Sequence, residues 1–278
     1  MTTYLLLVDC PDKEGLVYTI TGVLYHYGYN IIANHEFVDQ TARHFFMRTE
    51  FIGAEPPESV ARDLLQVLPA PANARIATTG KRPVVIMVTK EPHCLGDLLL
   101  RHAYDELPAQ ICAVISNYDT LAPLVQKFDI PFHHVSHHDR DRSAHEEEIV
   151  RVLAQYQPDY IVLAKYMRVL TPRFVARYPN RIINIHHSFL PAFIGASPYR
   201  QAFERGVKII GATAHVVTDD LDTGPIIEQG VLPVNHSHTA ADMAQAGRDV
   251  EKIVLARALK LVLEERVFLH HNRTVIFE

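Results

Sequence analysis

Three cysteines are too few and too scattered to staple this chain. Cys10, Cys94 and Cys112 form no Cys-x-x-Cys pair and cannot all pair with one another, so neither a disulfide framework nor a cysteine-rich metal cluster is indicated. Free cysteines of this kind fit a reducing cytoplasm, where they serve as small core filler. No apolar run approaches the ~20 residues of a membrane span. The opening Met1-Thr2-Thr3-Tyr4-Leu5-Leu6-Leu7 lacks the basic start and cleavage site of a secretory leader, and with Asp9 following closely it reads as a strand. An excess of positive charge is also missing. The net charge is −5 with histidine neutral, which argues against a general affinity for nucleic acid or acidic membrane. There is no internal repeat and no low-complexity stretch.

What is present is ordinary globular material, 48% hydrophobic and 21% charged. Its 278 residues suit two domains of roughly 100–200 residues better than one. In the first stretch, Thr3–Val8 is an apolar β-branched run that ends at the turn-rich loop Cys10-Pro11-Asp12-Lys13-Glu14-Gly15. Leu16, Ile20, Val23, Leu24 and Tyr27 then share one helical face, and Gly28 supplies the φ > 0 position after the last turn. Ile31–Val38 and His44–Phe51 read as a hairpin, Val60, Leu64, Leu65 and Leu68 as a second helix, and Ala74–Thr78 as a last strand. The order strand, helix, strand, strand, helix, strand describes a ferredoxin-like unit over residues 1–80, with helices on one face of an antiparallel sheet.

That order, with Asp12-Lys13-Glu14-Gly15 before the first helix and Gly28-Tyr29-Asn30 after it, resembles an ACT domain. The resemblance implies a regulatory unit that holds an amino-acid effector around Asp12, Gly15 and Asn30, and subunits that associate through their sheets, hence a homo-oligomer. Read on the loop alone, Asp12 serves as well to cap a helix and Asn30 to shape a turn.

Gly80-Lys81-Arg82-Pro83 marks a junction. From Pro83 to Glu278 apolar strands alternate with helical stretches: Val84–Val88, Ile111–Ser116, Phe132–Val135, Ile161–Leu163 and Ile182–Ile185, then Lys208–Val217 and Pro225–Val231. A final helix places Val250, Ile253, Val254, Ala258, Leu261 and Val262 on one face. Such alternation predicts a doubly wound, mostly parallel α/β sheet with helices on both faces and a site beyond the strands' carboxyl ends.

Asn184-Ile185-His186-His187-Ser188-Phe189-Leu190-Pro191 directly follows one of these strands. With a period of two, Asn184 and His186 point to the same face. The acidic loop Asp219–Asp222, after Gly211-Ala212-Thr213-Ala214-His215, brings a carboxylate from elsewhere in the chain. Carboxamide, imidazole and carboxylate together suit the polarisation of a carbonyl and the movement of protons. An unperturbed Asp, with pKa near ~3.9, is a weak base at neutral pH. Asp222 is therefore either raised by burial or works by fixing His186. The adjacent histidine pairs lack any metal-binding motif, the run Glu146-Glu147-Glu148 reads as a solvated helix face, and Ser188, without a nucleophile elbow, as a turn residue.

N-I-H-x-S-x-L-P followed by H-x-V-x-x-x-x-D-x-G-P-I-I resembles the folate-dependent formyltransferase family over nearly all of Pro83–Glu278. The resemblance implies catalytic roles for Asn184, His186 and Asp222 and a supporting one for His215. It places Tyr166, Met167, Arg168, Val169 and Leu170 along a pterin pocket, with Asp219 as a further substrate contact. A phosphate-binding member carries a glycine- and serine-rich loop after its first strand. Here Thr89-Lys90-Glu91-Pro92-His93-Cys94-Leu95-Gly96-Asp97 holds added carboxylates, a proline and one glycine, and a basic extension of the tRNA-acting kind is absent.

The pattern matches the deformylase branch, in which water replaces the amine acceptor. That implies hydrolysis of 10-formyltetrahydrofolate to tetrahydrofolate and formate, supplying formate for purine synthesis and balancing the one-carbon pool. Folate is then the substrate, with no separate cofactor and no metal, and methionine and glycine are the implied effectors of the ACT unit. Gly96 is then a further substrate contact, and His93 and Asp97 either shape the path of the water or cap the following helix. Two rivals stand beside it: a formyltransferase with an unrevealed amine acceptor, and a non-catalytic amino-acid sensor.

Overall fold

Leu5-Leu6-Leu7-Val8 is an unbroken apolar run, and a strand of that kind is buried on both faces. In the computed structural model, which describes residues 2–53, 57–192 and 198–278, it lies in β1 (Thr2–Pro11). The first unit continues with α1 (Leu16–His26), β2 (Asn30–Asp39), β3 (His44–Gly53), α2 (Val60–Val67) and β4 (Asn73–Thr78). Its sheet has the order β2-β3-β1-β4 and every pairing is antiparallel. Leu6 and Val8 face the helices, packing with Leu16, Ile20, Leu24 and Leu64. Leu5 and Leu7 point the other way, onto Phe46, Phe268 and Phe277.

Those last two phenylalanines mark a departure from the expected boundaries. The chain divides into Met1–Gly80 with Glu264–Phe268 and Val275–Glu278, and Lys81–Leu263 with Leu269–Thr274. The physical reason is the second apolar face of β1. Helices cover only one side of the sheet, and the C-terminal aromatic residues cover the other. Arg48, 2% exposed, fixes them: its Nε donates to the Glu265 carbonyl at 2.9 Å, and a terminal nitrogen donates to the Glu264 carbonyl at 3.0 Å. The other terminal nitrogen pairs with Glu50 at 2.7 Å.

The second unit runs β5 (Arg82–Val88), α3 (His93–Ala103), β6 (Ala109–Ser116), α4 (Ala122–Gln126), β7 (Phe132–His134), α5 (Arg142–Tyr156), β8 (Tyr160–Leu163), α6 (Pro172–Val175), β9 (Ile182–His186), α7 (Pro198–Glu204), β10 (Ile209–Val216), β11 (Ile226–Pro233) and α8 (Ala240–Leu263). A hairpin of β12 (Val267–His270) and β13 (Arg273–Ile276), not foreseen in the sequence, ends the chain. The large sheet has the order β11-β10-β9-β8-β5-β6-β7. β7, β6, β5, β8 and β9 are parallel, while β10 and β11 are antiparallel additions at one edge. The winding reverses between β5 and β8, so the carboxyl ends of the strands around it are where a site belongs.

Two helical expectations are corrected. Ile253 is 61% exposed: it sits about 100° round from Val254, off the buried stripe of Gly247, Val250, Glu251, Val254 and Ala258. Nor is the acidic run on α5 simply solvated. Glu146 is buried and accepts the Thr171 N–H at 2.9 Å, and Glu147 holds both Arg173 and Arg177 at 2.9 Å. Thr171, the N-cap of α6, and the arginines in and just after that helix give these carboxylates partners that sequence spacing does not show.

Replacing Arg48 with Met keeps the buried stem but leaves two carbonyls and the Glu50 carboxylate without their donor. Arg48→Met is expected to destabilise the first unit by about 2–4 kcal/mol, read as a lower midpoint in denaturant unfolding with the cooperativity preserved.

Candidate active site

Where β10 turns antiparallel to β9, His215 is paired opposite Asn184 and Thr213 opposite His186. One change of strand direction thus sets two of the expected residues side by side. The third arrives on the loop after β10. Gly224 closes that loop against the strand, and a Cβ there would lie 1.9 Å from the Val216 carbonyl oxygen, so only glycine fits. The Val216 N–H donates to the Pro225 carbonyl at 2.9 Å and completes the closure. Asp222, held at a left-handed φ of 56°, turns back onto the two histidines. Its Oδ2 lies 3.3 Å from His186 Nδ1 and its Oδ1 3.7 Å from His215 Nε2.

The hydrogen bonds assign the working atoms. His215 Nδ1 donates to the Val216 carbonyl at 3.0 Å, and its Nε2 stands between the Asn184 carboxamide nitrogen at 3.1 Å and Asp222 Oδ1 at 3.7 Å. The second N–H of Asn184 remains for a ligand. With Nδ1 committed to Asp222, His186 presents Nε2, which is buried and has no partner among the described residues. Burial alone would raise the Asp222 carboxyl, but the His186 and His215 imidazoles outweigh it and hold that group far below the usual carboxylate range. Of the two alternatives left open above, this favours the second.

These residues wall a cavity of about 290 Å³. Tyr166, Met167, Arg168, Val169, Leu170 and Asp219 line it as well. Lys165 turns the chain into this wall with φ 63°, and the Met167 N–H is pinned to the Thr89 hydroxyl at 2.9 Å. Tyr166 is largely a core residue, 6% exposed, whereas Met167 and Val169 are exposed at 57% and 49% and free to meet a ligand's flat face. Ser188 is a turn fastener, donating to the Ala192 carbonyl at 2.7 Å.

His93, Gly96 and Asp97 are not brought into this cavity. Asp97 accepts from Arg101 Nε at 2.7 Å, one turn along α3. Neither residue caps α3, whose N-cap is Pro92. His93 instead joins a buried cluster that the sequence reading missed. Its Nε2 meets Glu251 Oε2 at 2.6 Å, Lys165 Nζ lies 3.3 Å from the same oxygen, and the Tyr199 hydroxyl donates to Glu251 Oε1 at 2.6 Å. A charged residue on the apolar stripe of α8 was the available signal. His93, Cys94 and Glu251 present ligand atoms within 4.8 Å of one another. However, both Glu251 oxygens are already engaged, and burial pushes the Cys94 thiol up, away from the thiolate a metal requires. Glu251 is instead held in an ion-pair network with His93, Lys165 and Tyr199.

In the first unit, Gly15 is the N-cap of α1 at φ 84°, with no side-chain cap, and Asp12 lies outside the helix with its N–H on the Arg43 carbonyl at 2.8 Å. Asn30 opens β2 opposite Ile52. Both side chains are exposed.

Fold and site together define a formyl transferase-type catalytic unit preceded by an ACT domain. The Formyl transferase family profile matches residues 82–259 and the ACT domain profile residues 4–69. The chain belongs to the formyltetrahydrofolate deformylase family: it is 55% identical to the formyltetrahydrofolate deformylase of Haemophilus influenzae over 272 residues, 98% of each chain. It is 57% identical to that of Escherichia coli K12 over 267 residues, 96% of this chain and 95% of the relative. The crystal structure of a formyltetrahydrofolate deformylase from Pseudomonas syringae superposes with a TM-score of 0.96 at 41% identity, covering 100% of this chain and 95% of that one. A glycinamide ribonucleotide transformylase from Symbiobacterium toebii gives 0.69 at 29% identity, over 71% of this chain and 95% of that one.

The buried carboxylate at position 251 carries a pH signature. Burial would raise it, but His93, Lys165 and Tyr199 prevail and lower its carboxyl from 4.5 to about 2. A depressed carboxyl adds stability that is fully present above its unfolded pKa and is lost as pH falls through the folded one. Glu251→Gln, which leaves Lys165 buried without its anion, is expected to cost a few kcal/mol at pH 7, on the order of 3–5. The gap to wild type should narrow steadily below about pH 4.5, as urea unfolding midpoints across that range would record.

Proposed function

We propose that the chain hydrolyses 10-formyltetrahydrofolate to tetrahydrofolate and formate at the Asn184–His186–Asp222 site, with folate as substrate and no further cofactor. The observation that carries this is the free Nε2 of buried His186, backed on its other nitrogen by an ionised Asp222. An imidazole so held can accept a proton from water and return it to a leaving nitrogen. Asn184 donates its spare N–H to the formyl oxygen as that oxygen becomes an anion. His186 Nε2 removes a proton from the attacking water and delivers it to N10 as the C–N10 bond breaks. Formate leaves with its remaining proton lost to solvent. Tyr166, Met167, Arg168, Val169 and Leu170 form the pterin wall, with Asp219 as a further contact.

The ACT unit supports amino-acid regulation, with methionine or glycine as effector around Asp12, Gly15 and Asn30, and assembly as a homo-oligomer. Three free cysteines and, among the described residues, no helix long and apolar enough to cross a membrane fit work in the cytoplasm. The formate released feeds purine synthesis and balances the one-carbon pool.

The test is to supply 10-formyltetrahydrofolate with no amine and to measure formate and tetrahydrofolate. Equal amounts of both are expected. Turnover should fall on the order of 10²–10⁴-fold in Asp222→Asn and 10²–10³-fold in Asn184→Ala, with folding intact. No formate from the wild-type protein, with folate bound, would instead point to an amine acceptor.

A further inference from the structure

Five charged or titratable side chains stand just behind the catalytic wall and have no part in the chemistry so far: His187, Lys165, Glu251, His93 and Tyr199. Two of them, His187 and Lys165, also line the cavity. Strand alternation predicts that His187 points away from His186. β9 ends at His186, so the alternation stops one residue short, and the next ring comes to the same side. The His186 and His187 rings lie nearly parallel, with centroids 5.1 Å apart and 23° between their planes. Two imidazoles therefore face one cavity, one residue apart.

Water is a poor nucleophile unless its geometry is fixed. If both of its hydrogens are accepted, its lone pairs are left to the electrophile, and the entropy of orientation is met before reaction. His186 Nε2 accepts one hydrogen, the one that is transferred. We propose that His187 is a further catalytic residue, whose imidazole accepts the second hydrogen of the attacking water and so turns the lone pair of the water to the formyl carbon. The assignment rests on the hydrolase reading above.

The surroundings keep His187 an acceptor. A protonated ring could only donate. Burial first, and then the Lys165 ammonium and His186, lower its pKa to about 4, so at neutral pH the ring is uncharged. Lys165 is itself 5% exposed and stays there because Glu251 neutralises it at 3.3 Å. Glu251 is in turn held by His93 and Tyr199, both at 2.6 Å. Tyr199 seats against α8 where Gly247 leaves space: a Cβ at 247 would lie 2.1 Å from its hydroxyl oxygen. The ring of Tyr199 also closes on His187, with centroids 6.3 Å apart. Lys165, Glu251, His93 and Tyr199 are thus positioning residues for the water side of the cavity.

The experiment is steady-state kinetics of full-length His187→Ala and His187→Gln with 10-formyltetrahydrofolate as the only substrate, with circular dichroism to confirm folding. We expect kcat of His187→Ala to fall on the order of 10²-fold with KM unchanged. Added imidazole should restore at least about a tenth of wild-type turnover, because it returns the acceptor to the vacated space. His187→Gln keeps an acceptor oxygen and should retain kcat within about tenfold. The proposal is overturned if folded His187→Ala turns over within a few-fold of wild type. It is equally overturned if its loss lies in KM and imidazole leaves kcat untouched. Should His187→Ala not fold, His187→Gln decides: kcat within that tenfold supports the proposal, and a larger loss overturns it. A wild-type protein that releases no formate would strike the hydrolase reading instead, a different and separable failure.

Discussion

One carboxylate, kept as an anion where water scarcely reaches, dictates the layout of the catalytic unit. The Asp222 side chain is 10% exposed, and an ion in that position is tolerated only with partners on more than one side. It finds them in His186 and His215, which reach it from adjacent strands only because β10 runs antiparallel to β9. A fully parallel sheet would need a long crossover at this point, and the register that sets His215 beside Asn184 would not arise. The left-handed backbone at Asp222 and the close approach at Gly224 follow from the same requirement: the loop must fold back tightly enough for a short side chain to reach both rings. Glu251 repeats the device behind the cavity, in a drier place and with a lysine among its partners. In each place a carboxyl held below its ordinary range sets the position of an imidazole or ammonium nearby.

The candidate catalytic residues were legible in the sequence because two of them obey the period of two on a strand and the set carries an unusual spacing. Asn184 and His186 share a face by geometry alone, and the D-x-G-P segment announces a loop that only glycine can close. The first unit was legible for a similar reason, since each of its helices writes a clear apolar stripe and its strands are bounded by turn residues. What escaped has a physical cause in each instance. His187 was hidden by the rule that revealed His186, since alternation holds only while the strand lasts. The C-terminal hairpin is short and moderately apolar, and nothing local tells such a segment where it docks. The unbroken run Leu5–Val8 was the available hint that a second cover for the sheet was required. Ile253 was misplaced because helical periodicity defines the centre of a stripe better than its margin.

The expectation for His93, Gly96 and Asp97 failed in an instructive way. Their loop, with its added carboxylates, its proline and a single glycine, is a poor phosphate cradle. It does not follow that the loop faces the substrate. His93 turns inward to Glu251, a residue more than a hundred positions later on α8, and Asp97 spends its carboxylate on Arg101. Long-range ion pairs of this kind have no local signature. Only the oddity of a glutamate amid Val250, Val254 and Ala258 betrayed the far end of this one.

A shared fold does not decide what accepts the formyl group. The catalytic unit overlays a glycinamide ribonucleotide transformylase at a TM-score of 0.69, and a common scaffold hosts different acceptors. An amine acceptor brings its own binding energy, and a site for it needs room and groups that recognise the rest of that molecule. Water brings almost none, so a hydrolase must supply orientation entirely from its own side chains. Beside His186 the cavity wall carries a second imidazole, backed by a lysine–glutamate–histidine–tyrosine network with no unpaired oxygen on its glutamate. Such a wall is costly to assemble, because each charge must be matched in a dry place. It persists through shared pairing: Glu251 holds His93, Lys165 and Tyr199 at once. That interdependence makes the water side of the site as tightly specified as the triad it serves.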